Sequence, residues 1–278
     1  MLQKYDSLKS SLLLALAAAG SAAFSGTAIA EGTVCNLEDG FSVELAFYIE
    51  EAKACVNGAE SLDAGTADDL VAEINAERSA AGLAPLERRA SLDMAAAAHA
   101  LDMSARNFAA HADLEGRDHL HRIRAFDRTM LVGASGANIS VALSSADAAA
   151  IHDEIKRDQL NQDNILRASF TDIGIGVVEQ AGQVYVVQVF ATAEGDLDKA
   201  LPISATGTQS LSASLMSRDQ HVVAWGLSDT ESGEMLARST MPRVSYTTLR
   251  TADAADLDVL VAVRDRTYVL KGPLVSGQ

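Results

Sequence analysis

The chain has 278 residues, 48% of them apolar and 22% charged, with a formal net charge of −16. That length holds one large domain or two modest ones. So acidic a chain lacks the basic patch that would release counterions from phosphate backbones or anionic lipid, so nucleic acid is discounted as a partner.

Residues 1–30 read as a secretory leader: Lys4 and Lys9, the apolar run "SLLLALAAAGSAAF", then "TAIA" with cleavage expected after Ala30. The run is shorter than the roughly 20 residues of a spanning helix, and no later stretch approaches that length. The mature chain is therefore expected to carry no transmembrane segment and to be secreted or periplasmic. Residues 31–64 should form a helical segment around "FSVELAFYIEEAKACV". In an exported chain, Cys35 and Cys55 are expected to form a disulfide tying that helix to its leader; two reduced thiols are the alternative. On the chain-entropy model such a loop stabilises by about 3 kcal/mol.

From residue 66 to 165 the chain is rich in alanine and reads as helices. Thr66, with acidic Asp69 behind it, looks like a cap, and "DDLVAEINAERSAAG" runs to Gly82 with Leu70, Ile74 and Ala81 on one face. "SLDMAAAAHALDMSARN" follows, with Ser91 as cap and Leu92, Ala95, His99 and Met103 along one side, which makes His99 a core residue. "LEGRDHLHRIRAF" reads as a turn at Gly116 entering a short helix, with His119 and His121 facing solvent or capping. A third long helix is expected over "SADAAAIHDEIKRDQL", capped by Ser145.

Strands come next. "TDIGIGVVEQAGQVYVVQVFA" alternates Ile173, Ile175 and Val177 with Gly174 and Gly176, turns at "QAGQ", and returns with Val184, Val186 and Gln188 opposite Tyr185, Val187 and Val189. Two glycines on one face imply a close neighbour above the sheet. "TAEGDLDKALP" suggests a linker over 194–203, and residues 204–278 read as a small antiparallel β sandwich or barrel with Trp225 in its core. The acidic loop "SDTESGEM" (Asp229, Glu231, Glu234) matches no calcium loop and reads as a solvated turn.

Four collinear stretches, "INAERSAAGLAPL", "AAAAHALDMSARNFAAH", "GANISVA" and "NQDNILRASFTDIGIGVV", together resemble the CAP superfamily of cysteine-rich secretory proteins, antigen 5 and PR-1, in its bacterial form. The resemblance covers 65–193. It implies an α+β fold, an α/β/α sandwich with a cleft that two histidines and one or two glutamates line in fuller members, some of which bind zinc. His111 matches the first histidine, Ala137 stands at the glutamate and Asn161 at the second histidine. These three are the cleft candidates, none assigned as catalytic. His111, Asn138, Asn161 and Asn164 are the ligand-binding candidates, although the asparagines also suit backbone-bonding turns.

A zinc site wants three protein donors of His or carboxylate type, so no resident metal is expected; zinc and calcium are the ions weighed. No nucleophile elbow of the form G-x-S-x-G accompanies Ser135, Ser140 or Ser169. The reading is a non-catalytic binding module for a small apolar ligand such as a lipid, an envelope component, or a protein partner held through the C-terminal β domain. The alternative is a metal-assisted hydrolase or peptidase using His111 with relocated carboxylates. A purely structural adhesion role stays open as a third reading.

Overall fold

Along one strand, Gln183–Leu197, the side chains of Tyr185, Val187, Val189 and Ala191 enter one apolar cluster while Val184, Val186 and Phe190 enter another. This is the two-residue period of a strand buried on both faces, and it requires a layer on each side. The structure, a computed structural model, describes residues 35–204, 207–230, 232–249 and 254–276. The expected leader at 1–30 lies outside the described residues.

The elements that supply the layers are α1 (Leu45–Gly58), α2 (Ala64–Ala80), α3 (Ala90–Arg106), α4 (His119–Phe126), α5 (Ala148–Ile155) and α6 (Gln159–Ile165). Between them run β1 (Glu87–Arg88), β2 (Met130–Leu143), β3 (Asp172–Gln180) and β4 (Gln183–Leu197). Helices α1, α3 and α4 cover one face of the sheet. Helices α2, α5 and α6 cover the other. The fold is thus the expected α/β/α sandwich, in the order β1-β3-β4-β2, with β3, β4 and β2 antiparallel.

The glycine face of β3 explains how closely α3 approaches. A Cβ at Gly174 would lie 2.1 Å from the Leu92 carbonyl carbon, and one at Gly176 would lie 2.4 Å from the Ala97 nitrogen. Helix backbone, with alanines Ala96 and Ala97, rests directly on the sheet. Cys35 and Cys55 form the expected disulfide, which ties the start of the described chain to α1.

The remaining strands are β5 (Thr208–Ser210), β6 (Ala213–Leu215), β7 (Gln220–Asp229), β8 (Met235–Ser239), β9 (Arg243–Ser245), β10 (Ala255–Val263) and β11 (Arg266–Val275). They build the expected C-terminal β unit around Trp225, Leu227, Val244, Leu257 and Leu270. Strands β11, β10, β7 and β8 continue the same sheet beyond β2, joined where Lys271 pairs with Val132, and the β5–β9 ribbon covers them. The linker placed at 194–203 needs correction: 194–197 are the end of β4, pairing with Met130 and Leu131 on one side and with β6 on the other. Glycine and acidic residues there mark a bulged edge, not a free tether.

Four local expectations also change. Asp63, not Thr66, caps α2, accepting from the Thr66 N–H at 2.9 Å and from its hydroxyl at 2.6 Å. Ser91 does not cap α3; its hydroxyl donates to Asp127 at 2.5 Å. The third long helix is two helices, capped by Asp147 and Asp158, with Ser145 outside both. The inner face of α2 is completed by Arg78 instead of exposed Ala81. Among the described residues, no helix is long and apolar enough to cross a membrane.

Arg78 is fully buried and donates to four carbonyls: Ala84 at 2.9 Å, Ile165 at 2.8 Å, Arg167 at 3.0 Å and Phe170 at 3.4 Å. Arg78→Leu should cost about 3–5 kcal/mol in urea unfolding, because the carbonyls lose their donors in a dry site; Arg78→Lys should recover less than half. Gly176→Ala should cost about 3 kcal/mol or more in the same measurement, since helix backbone cannot yield to the added methyl.

Candidate functional site

Three interactions shape the loop that leaves α3 and carries His111. Asn107 turns the chain through the left-handed region at φ 52°, closing α3 with its N–H on the Met103 carbonyl. The His99 imidazole then donates from Nε2 to the Ala110 carbonyl at 2.7 Å. Arg122, on α4, donates to the Arg117 carbonyl at 2.6 Å and to the His111 carbonyl at 2.7 Å. The backbone of His111 is therefore fixed while its side chain is exposed.

Carboxylates gather beside this loop. Asp102, Asp113 and Glu115 offer oxygens within 4.8 Å of one another, the one such group of metal-type ligands among the described residues. Their centre is already occupied by guanidinium. Arg106 holds Asp102 through two bonds of 2.6 Å and Glu115 through bonds of 2.6 and 2.8 Å. Arg117 holds Asp113 at 2.6 Å and also donates to the Ser42 carbonyl at 2.7 Å, with its guanidinium 4.1 Å above the Tyr48 ring. Arg106 keeps the Glu115 carboxyl below the usual carboxylate range. The arrangement is an ion-pair clamp of three carboxylates on two guanidinium groups, which ties α3, α1 and the loop together with each carboxylate already bonded to arginine. The spacing of Asp102 with Arg106 and of Asp113 with Arg117, four residues apart, carried this signal and the motif reading passed over it.

The other matched positions bring no metal-type donor, and the asparagines bond elsewhere. Ala137 is buried, and its cross-strand partner Val189 belongs to the α3 face. Asn138 points the other way, donating to the Asn161 carbonyl at 3.1 Å and to Gln188 at 3.0 Å. Asn164 donates to Asn138 at 2.9 Å and to the Ala137 carbonyl at 3.3 Å. Asn161 turns its amide onto the Ile155 carbonyl at 3.1 Å, closing the end of α5. The asparagines thus stitch α6 to β2 on the far face of the sheet. Of the three matched cleft positions only His111 keeps a metal-type donor, so these residues do not fit a zinc ion at the place the resemblance implies.

His119 and His121 need correction as well: both are half-buried residues of α4, with the His121 ring 6.2 Å from Tyr48 of α1. A two-residue spacing on a short helix sends neighbouring side chains apart, but α4 is covered widely enough to shelter both. Asp229 accepts from the Ser232 N–H and hydroxyl, both at 2.7 Å, as a turn residue does; Glu231 lies outside the described residues.

Burial, reinforced by the charge of Arg122, pushes His99 down to about 3, and burial with Arg117 and Arg124 pushes His121 down to about 4. Both are neutral in the native state, whereas the unfolded chain binds a proton at each near the ordinary value. Their contribution is thus complete above about pH 6.5 and is lost as pH falls towards 4 and 3, at up to about 2.7 kcal/mol per pH unit for the pair. Urea midpoints should drop steeply between pH 6.5 and 5, and His121→Phe should flatten that slope by up to half.

Residues 71–190 match the family model described as the cysteine-rich secretory protein family, CAP. No curated protein sequence matches the chain. Among solved structures, an outer surface protein from Borrelia burgdorferi is similar at 15% identity and a TM-score of 0.43, over 47% of this chain and 94% of that one. An extracellular SCP-domain protein from Bacillus anthracis is similar at 23% identity and a TM-score of 0.39, over 51% of this chain and 43% of that one. With the four motifs, the α/β/α layers and the family match in agreement, residues 71–190 of this chain belong to the cysteine-rich secretory protein, or CAP, family.

Proposed function

We propose that the chain is an exported, non-catalytic CAP binding module that presents the His111 loop to a protein or envelope partner. The observation that carries this is that, among the described residues, no carboxylate bonds the His111 ring, whose titratable neighbours are His119 and His99. Its imidazole is exposed, while Asp113 and Glu115 of the same loop are bound to Arg117 and Arg106. General acid–base work needs a tuned imidazole with an orienting carboxylate. A rigid loop with an exposed histidine suits recognition instead.

Apolar residues flank the same loop. Val43 is 82% exposed, Phe47 64% and Leu114 63%, and Arg117 ties the Leu114 turn to the carbonyls of Phe41 and Ser42. Such exposed side chains on a braced surface are what a partner buries. Export is supported by the leader-like residues 1–30 and by the Cys35 and Cys55 disulfide, which persists in oxidising compartments.

The alternative, a metal-assisted hydrolase, has one observation in its favour: the convergence of Asp102, Asp113 and Glu115. Metal analysis of protein purified without chelators separates the two. The expected result is well under one zinc per chain, unchanged in His111→Ala. One zinc per chain that disappears in His111→Ala would overturn the binding-module reading and favour the hydrolase.

A further inference from the structure

Residues 108–112 of the His111 loop run between two fixed points, Asn107 at the end of α3 and Asp113 in the arginine clamp. Between them, two buried side chains hold consecutive carbonyls: His99 donates to Ala110 at 2.7 Å and Arg122 to His111 at 2.7 Å. His99 is 2% exposed and Arg122 1%. Phe108 packs edge-on against the His99 ring, with centroids 5.9 Å apart.

With Nε2 committed to the Ala110 carbonyl as a donor, Nδ1 is the lone-pair nitrogen of the neutral His99 ring. Among the described residues that Nδ1 is buried without a partner, and so are His119 Nδ1 and Arg122 Nε. His119 stands three residues before Arg122 on α4, hence on the same side of that helix. The groups facing His99 are Arg122 from α4, His111 from the loop and Arg106 from α3; those facing His119 are Asp118, Arg122 and His111. Asp118 accepts from the His121 N–H, and Asp102, Asp113 and Glu115 are bonded to Arg106 and Arg117. A proton on His99 Nδ1 therefore makes a second cation in a dry site beside Arg122, with no acceptor for the new N–H. Burial and Arg122 push His99 down to about 3, and burial holds His119 below the usual imidazole range.

We propose that residues 108–112 form an acid-released latch, which protonation of His99 and His119 lifts from α3 and α4 while the sheet stays folded. Lifting the segment removes Phe108 and the Ala110 carbonyl from His99 and lets both rings take protons from water. Closure is therefore complete above about pH 6.5, the ordinary histidine value, and weakens as pH falls. At about pH 5, each ring kept neutral by the closed latch multiplies the open fraction by up to about thirty. A partner held by this loop is then released in acid; that consequence rests on the loop being a recognition surface, whereas the opening does not.

Hydrogen exchange on the full-length protein reads the opening at the Asn107 and Phe108 amides, both bonded to the Met103 carbonyl. Gly176 and Val187, paired in the β3–β4 hairpin, report the sheet. Between about pH 7.5 and 5, protection of the two latch amides, corrected for intrinsic rates, should fall at least about tenfold. They should exchange ahead of the sheet amides at every pH, through openings insensitive to low urea. His99→Gln keeps a donor for the Ala110 carbonyl but takes no proton; combined with His119→Gln, it should limit the fall to under about threefold. A smaller fall in the parent, exchange of the latch only together with the sheet, or a larger fall in the double variant would each overturn the proposal. Should the double variant unfold, His119→Gln alone decides: its fall should be at least about twofold smaller than the parent's, and any lesser reduction overturns the latch.

Discussion

Arg78 is a cation with no carboxylate partner among the described residues, sealed between α2 and the segment that leads from α6 into β3. Burying an unpaired charge is costly, and the structure meets that cost with carbonyl dipoles instead of a counter-ion. Three of the four carbonyls, those of Ala84, Arg167 and Phe170, belong to loop backbone, and the fourth, that of Ile165, ends α6. One guanidinium therefore supplies the donors for a whole turn and sets where β3 begins. Because Ile173, Ile175 and Val177 must then face α2, the glycines of β3 face α3, and the close packing of helix on sheet follows from that register.

Carbonyls are held by buried arginines at the other end of the sheet too, there with Asp256 also paired to Arg124. Arg124 donates to the carbonyls of Gly272 and Leu257, and Arg128 to those of Leu201 and Leu274. Arg122 serves the His111 loop likewise. An acidic chain thus keeps several of its few cations inside, where they hold backbone, while carboxylates cover the outside. The network of Asp102, Arg106, Glu115, Arg117 and Asp113 differs in being built from direct ion pairs, three carboxylates on two guanidinium groups, and it braces the loop.

Much of this was legible from residues alone. The helix carrying Cys55, the buried hairpin of β3 and β4, the glycine face and Trp225 in the C-terminal core all follow from periodicity and turn chemistry. Strand β2 escaped, although it lies at the centre of the sheet: "MLVGASGANISVAL" mixes small, polar and apolar residues with no clean alternation, because its faces meet three different surroundings. The break between α5 and α6 escaped because Asp158 is equally at home inside a solvated helix and at a cap. Of the candidate site, the loss of glutamate and second histidine at Ala137 and Asn161 could be read directly. The placement of Asn161 across the sheet from the His111 loop could not, since strand parity puts Ala137 on the α3 face and Asn138 on the α6 face only once the register is known.

Strand β2 has one more consequence. Met130 and Val132 pack beneath α3 and α4, whereas Leu131 enters the core around Trp225. Neighbouring residues of a single strand are shared between two halves, and Arg124 spans the same seam. Trimming the chain after Pro202 would strip a hydrophobic side chain of its surroundings and strand a buried cation at once. Gene-level shuffling of the C-terminal half onto other proteins is accordingly disfavoured, and any fusion that brought the two halves together would have required co-adaptation across this seam.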